Sequence, residues 1–229
     1  MVERLLHWFE KHGRDLPWRH KRDPYAILVS EVMLQQTQAA RVAPRYVAWL
    51  ERWPTVEALA YASLGDVLRE WQGLGYNRRA VNLHRAAREV VANGWPDDLT
   101  ALPGVGRYTA DAVACFAFGQ DVLPQDVNVR RVLERTDASF DHTCGQALMD
   151  LGATICLARV PRCCECPLAE ECPSRGQRFE PLRKQGRFEG SFRQRRGAAL
   201  RALLDGVDPG DDEAVAALAR DGLLPSLPG

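Results

Sequence analysis

The sequence predicts an all-α fold. Apolar residues recur at helical spacing along most of the chain, alternating strand patterns are hard to find, and clusters containing glycine and proline divide the chain into short runs. Residues 1–12 set Leu5, Leu6, Trp8 and Phe9 on one side of an amphipathic helix, and Asp15-Leu16-Pro17-Trp18-Arg19 reads as a loop. Asp23 and Pro24 open the next helix as cap and first-turn proline. That helix runs through Gln35 and is apolar nearly all round, which marks it as buried, yet Glu31 sits in its middle. A carboxylate there is expensive unless it is paired or used. Further helices are expected over 38–52, 55–61, 63–72, 78–93, 108–118 and 126–135, then over 191–204 and 211–221. The breaks fall at Trp53-Pro54, Gln72-Gly73-Leu74-Gly75, Asn93 to Asp97 and Pro209-Gly210. No internal repeat is visible.

At 229 residues, with 46% hydrophobic and 26% charged side chains, the chain has the length and composition of a globular protein with a proper core. It contains no run of eighteen apolar residues, and its mixed, charged N-terminus does not read as a signal peptide, so a cytoplasmic location is expected. The net charge of zero gives no argument for a polyanionic partner. Its distribution says more. Residues 175–201 carry arginine or lysine at 175, 178, 183, 184, 187, 193, 195, 196 and 201 against Glu180 and Glu189, while acids collect between Asp205 and Asp221. A solvated charged face is the commoner explanation of such a strip, and tracking of phosphates is the other. Of seven cysteines, five lie between 156 and 172. Clustering of that kind without a secretory signal argues for metal rather than disulfides.

The stretch that organises the chain is Leu102-Pro103-Gly104-Val105-Gly106-Arg107-Tyr108, which opens a helical run. Pro103 and Gly104 break any preceding helix, and the backbone amides at the start of the following one suit a phosphate. Taken alone, the segment reads equally well as an ordinary turn between packed helices. Three further constellations flank it: Ser30-Glu31-Val32-Met33-Leu34-Gln35-Gln36-Thr37, Asp126-Val127-Asn128-Val129-Arg130-Arg131, and the cysteine run. Asp126 looks like a helix N-cap, a role worth about 1 kcal/mol by itself. Cys156, Cys163, Cys166 and Cys172 form a C-x6-C-x2-C-x5-C pattern, suited to a [4Fe–4S] cluster or a tetrahedral zinc, with Cys164 as the rival for one place. Cys115 and Cys144 read as buried, inert thiols.

In this combination and order the four motifs resemble the helix-hairpin-helix DNA glycosylases of the endonuclease III superfamily, and most nearly the MutY-type adenine branch. The resemblance spans about residues 3–175. It implies a two-lobed helical core over 1–174, with a six-helix lobe at about 22–130 and a cluster-side lobe from 1–21 plus 131–174. It also implies a [4Fe–4S] cluster on Cys156, Cys163, Cys166 and Cys172, with Arg159 and Arg162 as candidate backbone contacts in the loop 156–172. Beyond the core, 175–190 reads as a basic linker and 191–229 as a short helical appendage.

The resemblance assigns roles residue by residue. Asp126 becomes the catalytic carboxylate that stabilises an oxocarbenium-like sugar or supports attack at the anomeric carbon, and Glu31 the general acid that protonates adenine N7, with a structural salt bridge as its alternative. Tyr108 stands where bifunctional members carry a lysine; a tyrosine cannot form the Schiff base that nicks the strand, so the expected enzyme is monofunctional. Tyrosine there is shared with thymine–guanine mismatch enzymes and does not choose between them. Gln36 matches an intercalating glutamine, beside Thr37, while Arg14, Trp18, Arg19, Leu34 and Gln146 match the base pocket. On the residues alone, Trp18 and Leu34 would be core. Gly104, Gly106 and Arg107 become the DNA-phosphate contacts. The implied partner is double-stranded DNA with a mismatched or oxidised pair, bound by a nucleoid-associated monomer.

The pattern departs from the family in three places. Gly73-Leu74-Gly75-Tyr76 matches the loop that enters the duplex on the orphan-base side, and Asn77 stands where the family often has a second tyrosine as the wedge. The segment Arg135 to Gly145 is shorter than usual by about two helices, and the tail is too short for the Nudix-like domain that reads 8-oxoguanine. Residues 221–224 resemble the end of a truncated winged-helix-like element. Removal of thymine or uracil opposite guanine, and a DNA-binding protein with weak catalysis, are the competing readings.

Overall fold

The computed structural model describes residues 1–179 and 187–224. Part of the basic linker, with Arg183 and Lys184, and residues 225–229 of the appendage lie outside the described residues. Every regular element described is helical: α1 (Val2–His12), α2 (Pro24–Leu34), α3 (Ala39–Arg52), α4 (Val56–Ala60), α5 (Leu64–Glu70), α6 (Arg78–Asn93), α7 (Arg107–Phe116), α8 (Val127–Thr136), α9 (Gly145–Thr154), α10 (Phe192–Leu204) and α11 (Asp212–Arg220). Short 3-10 turns occur at Pro17–His20, Leu99–Ala101, His142–Cys144 and Cys163–Glu165. The ends follow side-chain chemistry. Thr55, Ser63, Asp126, Ser191 and Asp211 each accept a backbone N–H of the helix they precede. The loop 15–19 expected between α1 and α2 closes instead into a 3-10 turn on Pro17.

Contacts divide the described residues into two compact units, one of residues 1–27 and 106–179, the other of 28–105 and 187–224. In the first unit α9 packs on α8 and α1. Leu5, Val129, Val132, Ala147, Leu148, Leu151 and Leu168 form its apolar centre. Gly152 brings α9 close to α8: a Cβ there would lie 2.7 Å from the Asn128 Cβ and 2.9 Å from its carbonyl oxygen. Asp137, left-handed at φ 49°, ends α8, and a single 3-10 turn leads from there to α9.

The second unit is built on aromatic residues. Trp49 and Trp71 are fully buried and meet edge to face at 5.5 Å, with Trp53 4.7 Å from Trp49. α6 packs on α4 and α5, and α10 packs on α11 and α5. The appendage is therefore docked onto this unit. Arg69 Nη2 donates to the Leu204 carbonyl at 3.1 Å, and Arg195 forks onto Asp211 with two 2.8 Å bonds.

Candidate active site and cysteine loop

Asp126 caps α8 with one oxygen and is held by the other. Its Oδ1 accepts the backbone N–H groups of Asn128 (2.8 Å) and Val129 (2.7 Å), and its Oδ2 accepts from Asn128 Nδ2 at 2.8 Å. Asn128 is fixed in turn. Arg131 Nη2 donates to Asn128 Oδ1 and to the Gly152 carbonyl, both at 2.7 Å, while Arg131 Nε donates to the Cys156 carbonyl at 2.8 Å. A continuous chain of hydrogen bonds therefore runs from the backbone of Cys156 through Arg131 and Asn128 to the Asp126 carboxylate. Sequence reasoning gives Asn128 and Arg131 no role. The three-residue spacing of Asn128 and Arg131 on one helix is the signal that could have paired them.

One turn further along α8, Arg135 serves the cysteine loop. Its Nη1 donates to Cys156 Sγ (3.4 Å) and the Leu157 carbonyl (2.8 Å), its Nη2 donates to the Ala158 carbonyl (2.7 Å), and the guanidinium lies 3.7 Å from the Phe179 ring centroid. Cys156, Cys163, Cys166 and Cys172 line one cavity, with Arg135, Ile155 and Ala169 among its walls. Cys164 is exposed and is not among the lining residues. Burial pushes the Cys166 thiol up to about 11, with Cys156, Cys172 and Cys163 adding to the effect. Among the described residues no group of three or more His, Cys, Asp or Glu converges to hold a metal ion. Four thiols around one cavity, receiving N–H···S bonds from Arg135 and from the Gly176 amide (3.3 Å to Cys163 Sγ), are a donor set suited to an iron–sulfur cluster. Deprotonation of the raised thiols would accompany its binding.

In the same unit the structure brings Arg14 and Arg19 together on Asp150, which is fully buried. Arg14 donates its backbone N–H and Nε, both at 2.8 Å; Arg19 donates Nη1 at 2.8 Å and Nη2 at 2.5 Å. Arg19 Nη1 also reaches the Arg14 carbonyl at 2.6 Å. Burial acts to raise the Asp150 carboxyl, but the hydrogen bonds from Arg19 and Arg14 outweigh it and hold it below its ordinary value. The two arginines are thus engaged with a carboxylate on α9, one turn from Gln146 on that helix, and Trp18 lies in the 3-10 turn they anchor. Tyr108 occupies the first turn of α7, half-buried, and the exposed Arg107 pairs with Asp111 at 2.9 Å.

In the second unit α2 carries Glu31, only 5% exposed, with Leu34 at its last position and Gln36 and Thr37 just beyond. Gln36 is exposed and left-handed at φ 55°. In the glycine hairpin, Gly104 adopts φ 76°, and a Cβ there would meet Asn82 at 2.7 Å. Gly106, by contrast, is extended at φ −86° and N-caps α7. Only Gly104 of the two needs glycine for its conformation.

Among the described residues the all-helical architecture is that of the endonuclease III-like fold. Residues 29–147 match the family model described as HhH-GPD superfamily base excision DNA repair protein, and the chain belongs to that superfamily. It is similar to the adenine DNA glycosylase of Mycolicibacterium smegmatis (43% identical; 90% of this chain, 80% of that protein) and to that of Mycobacterium tuberculosis (45%; 87% and 77%). The Homo sapiens adenine DNA glycosylase is 41% identical over 82% of this chain and 42% of its own length. Among solved structures, a thermostable thymine-DNA glycosylase superposes with TM-score 0.68 at 29% identity, covering 75% of this chain and 93% of that one. A trapped endonuclease III–DNA covalent intermediate gives 0.63 at 24% identity, over 75% and 92%, and supports the shared fold.

Proposed function

We propose that this protein is a monofunctional adenine DNA glycosylase, removing adenine mispaired with 8-oxoguanine or guanine from double-stranded DNA. The observation that carries the reading is Glu31, a carboxyl 5% exposed within an apolar helix. A carboxyl at such a position is costly unless it is paired or used, and the use the resemblance implies is that of a general acid. Glu31 delivers a proton to adenine N7, and the C1′–N9 bond breaks with its electron pair passing to the departing base. Asp126, its lone pairs steered by Asn128 and Val129, faces the positive charge that develops on the sugar. Water adds at C1′ and gives up its proton to the Glu31 carboxylate, which restores the acid and leaves an intact abasic site. Tyr108 supplies no amine, so no imine forms and the strand stays whole.

Gln36 and Tyr76 enter the duplex, and Trp18, Leu34 and Gln146 receive the extruded base. Arg14 and Arg19 hold the pocket segment through Asp150. The amides around Gly104 and Gly106, with Arg107, take the DNA backbone. Cys156, Cys163, Cys166 and Cys172 would hold a [4Fe–4S] cluster, which would supply a cross-link for the loop 156–172. The enzyme acts as a monomer.

The test is a glycosylase assay on duplexes carrying A:8-oxoG, A:G, T:G and U:G, each read with and without alkali. The expected result is adenine release with strand breaks only after alkali. Excision of thymine or uracil in place of adenine transfers the protein to the mismatch branch, and strand cleavage without alkali refutes the monofunctional assignment. Duplex binding without any base release identifies a DNA-binding protein.

A further inference from the structure

Arg79, exposed only in part, is held by many partners in the second unit. Its Nη1 donates to the carbonyls of Val32 (2.8 Å), Met33 (3.0 Å) and Gln35 (2.6 Å). Its Nη2 donates to Thr37 Oγ1 (3.2 Å) and to the carbonyls of Leu74 and Gly75 (both 3.0 Å). The guanidinium also lies 5.3 Å from the Trp71 ring centroid and 5.6 Å from that of Tyr76. One planar cation thus grips two separate backbone segments, the end of α2 and the loop before α6. At the first it satisfies carbonyls that the last turn of a helix leaves without intrahelical partners. Burial lowers the group to about 10, which still leaves it cationic at neutral pH.

Both gripped segments lead into an unusual backbone conformation. Among the described residues the non-glycine positions with positive φ are Gln36 (55°), Tyr76 (49°) and Asp137 (49°). Asp137 ends a helix in the ordinary way. The other two each come directly after a carbonyl bonded to Arg79, that of Gln35 or of Gly75. A left-handed non-glycine residue costs on the order of 1–3 kcal/mol and persists where its surroundings over-determine it. Glycine would relieve that cost, and this loop uses glycine at positions 73 and 75, with φ 89° and 71°. At 36 and 76 the chain keeps a glutamine and a tyrosine, both exposed. These side chains stand where backbone preference favours glycine, which makes their direction the feature to explain.

We propose that Arg79 is a positioning residue for base extrusion, one guanidinium fixing both left-handed residues, Gln36 and Tyr76, in the direction from which they enter the duplex. The inference rests on the assignment of the protein as a DNA glycosylase. It goes beyond it by making entry at the two points a coupled event. Lysine cannot replace this arginine, because an ammonium is a point donor and cannot span two backbone segments as a fork does.

The experiment compares single-turnover adenine release by the full chain and by Arg79→Lys on two duplexes. One carries A opposite G. The other carries the same adenine opposite a stable abasic analogue, where no partner base resists extrusion. The readout is the ratio of the two rates, with folding followed by circular dichroism melts. Arg79→Lys is expected to lower the A:G to A:abasic ratio about tenfold, because only the paired substrate needs the wedge residues held. In an Arg79→Lys, Gln36→Ala double variant the losses are expected to be less than additive. If both rates fall equally, or neither falls, the proposal is overturned and Arg79 is a scaffold residue. Should Arg79→Lys fail to fold, Thr37→Val removes one acceptor of Nη2 and carries the same ratio test, with an unchanged ratio overturning the proposal. Failure of the wild type to release adenine from either duplex refutes the functional assignment itself, and this inference falls with it.

Discussion

Asn128 Nδ2 donates to Asp126 Oδ2 at 2.8 Å, so the helix-capping carboxylate is held at both oxygens rather than at one. A cap alone needs only Oδ1. The second bond fixes the plane of the carboxylate, and plane matters for a charge that must face a developing cation. Asn128→Ala is expected to leave the cap in place and cut single-turnover adenine release by about tenfold or more, the effect of losing one hydrogen bond to a charged group. Duplex affinity measured in parallel should hold within a few-fold. Unchanged release would return Asn128 to a packing role.

Gly152 belongs to the same support. A methyl group at this position would press on Asn128 at 2.7 Å from Cβ and 2.9 Å from the carbonyl oxygen. Gly152→Ala is therefore expected to destabilise the protein by about 1–3 kcal/mol in denaturant melts, as overpacking does, and to slow adenine release as Asn128→Ala does. A variant with wild-type stability and rate would show that the α8–α9 contact yields easily.

Acid sensitivity should trace to Asp150. Its carboxyl is held below its ordinary value in the folded chain by Arg19 and Arg14, against the opposing effect of burial. A carboxyl lowered on folding stabilises the protein above its unfolded pKa, about 3.9, and that contribution is lost as pH falls through the lower folded value. Asp150→Asn is expected to cost about 3–5 kcal/mol at neutral pH, because it leaves two arginines facing a neutral group. The cost should shrink as pH drops below about 4. Equal cost at all pH values would contradict this.

For the cysteine loop, Cys164→Ser is expected to leave the visible absorption and iron content of the purified protein unchanged, while Cys166→Ser removes most of both. Loss of colour in the Cys164 variant would redraw the ligand set, and a colourless, zinc-bearing wild type would exclude the cluster.

The helices were readable because their punctuation is local. Asp23-Pro24, Trp53-Pro54, Asn93-Gly94 and Asp126 mark boundaries that the structure keeps within a residue or two. Buried Glu31 was readable for the same reason, as one charge in an apolar run. The supports of the site were hidden because they join distant segments. Arg14 and Arg19 reach Asp150 across 136 and 131 residues, and Arg79 reaches Val32 across 47. On a helix, Arg79 and Arg131 look like solvated surface positions, and only the fold shows which carbonyls they serve.

The central claim, that Glu31 and Asp126 perform the chemistry, is tested most directly by adenine release from saturated enzyme–DNA complexes of Glu31→Gln and Asp126→Asn. Each variant should bind an A:8-oxoG duplex with near wild-type affinity and release adenine at least about a thousandfold more slowly. Lost binding with a normal release rate in the residual complex would make both carboxylates structural and contradict the account.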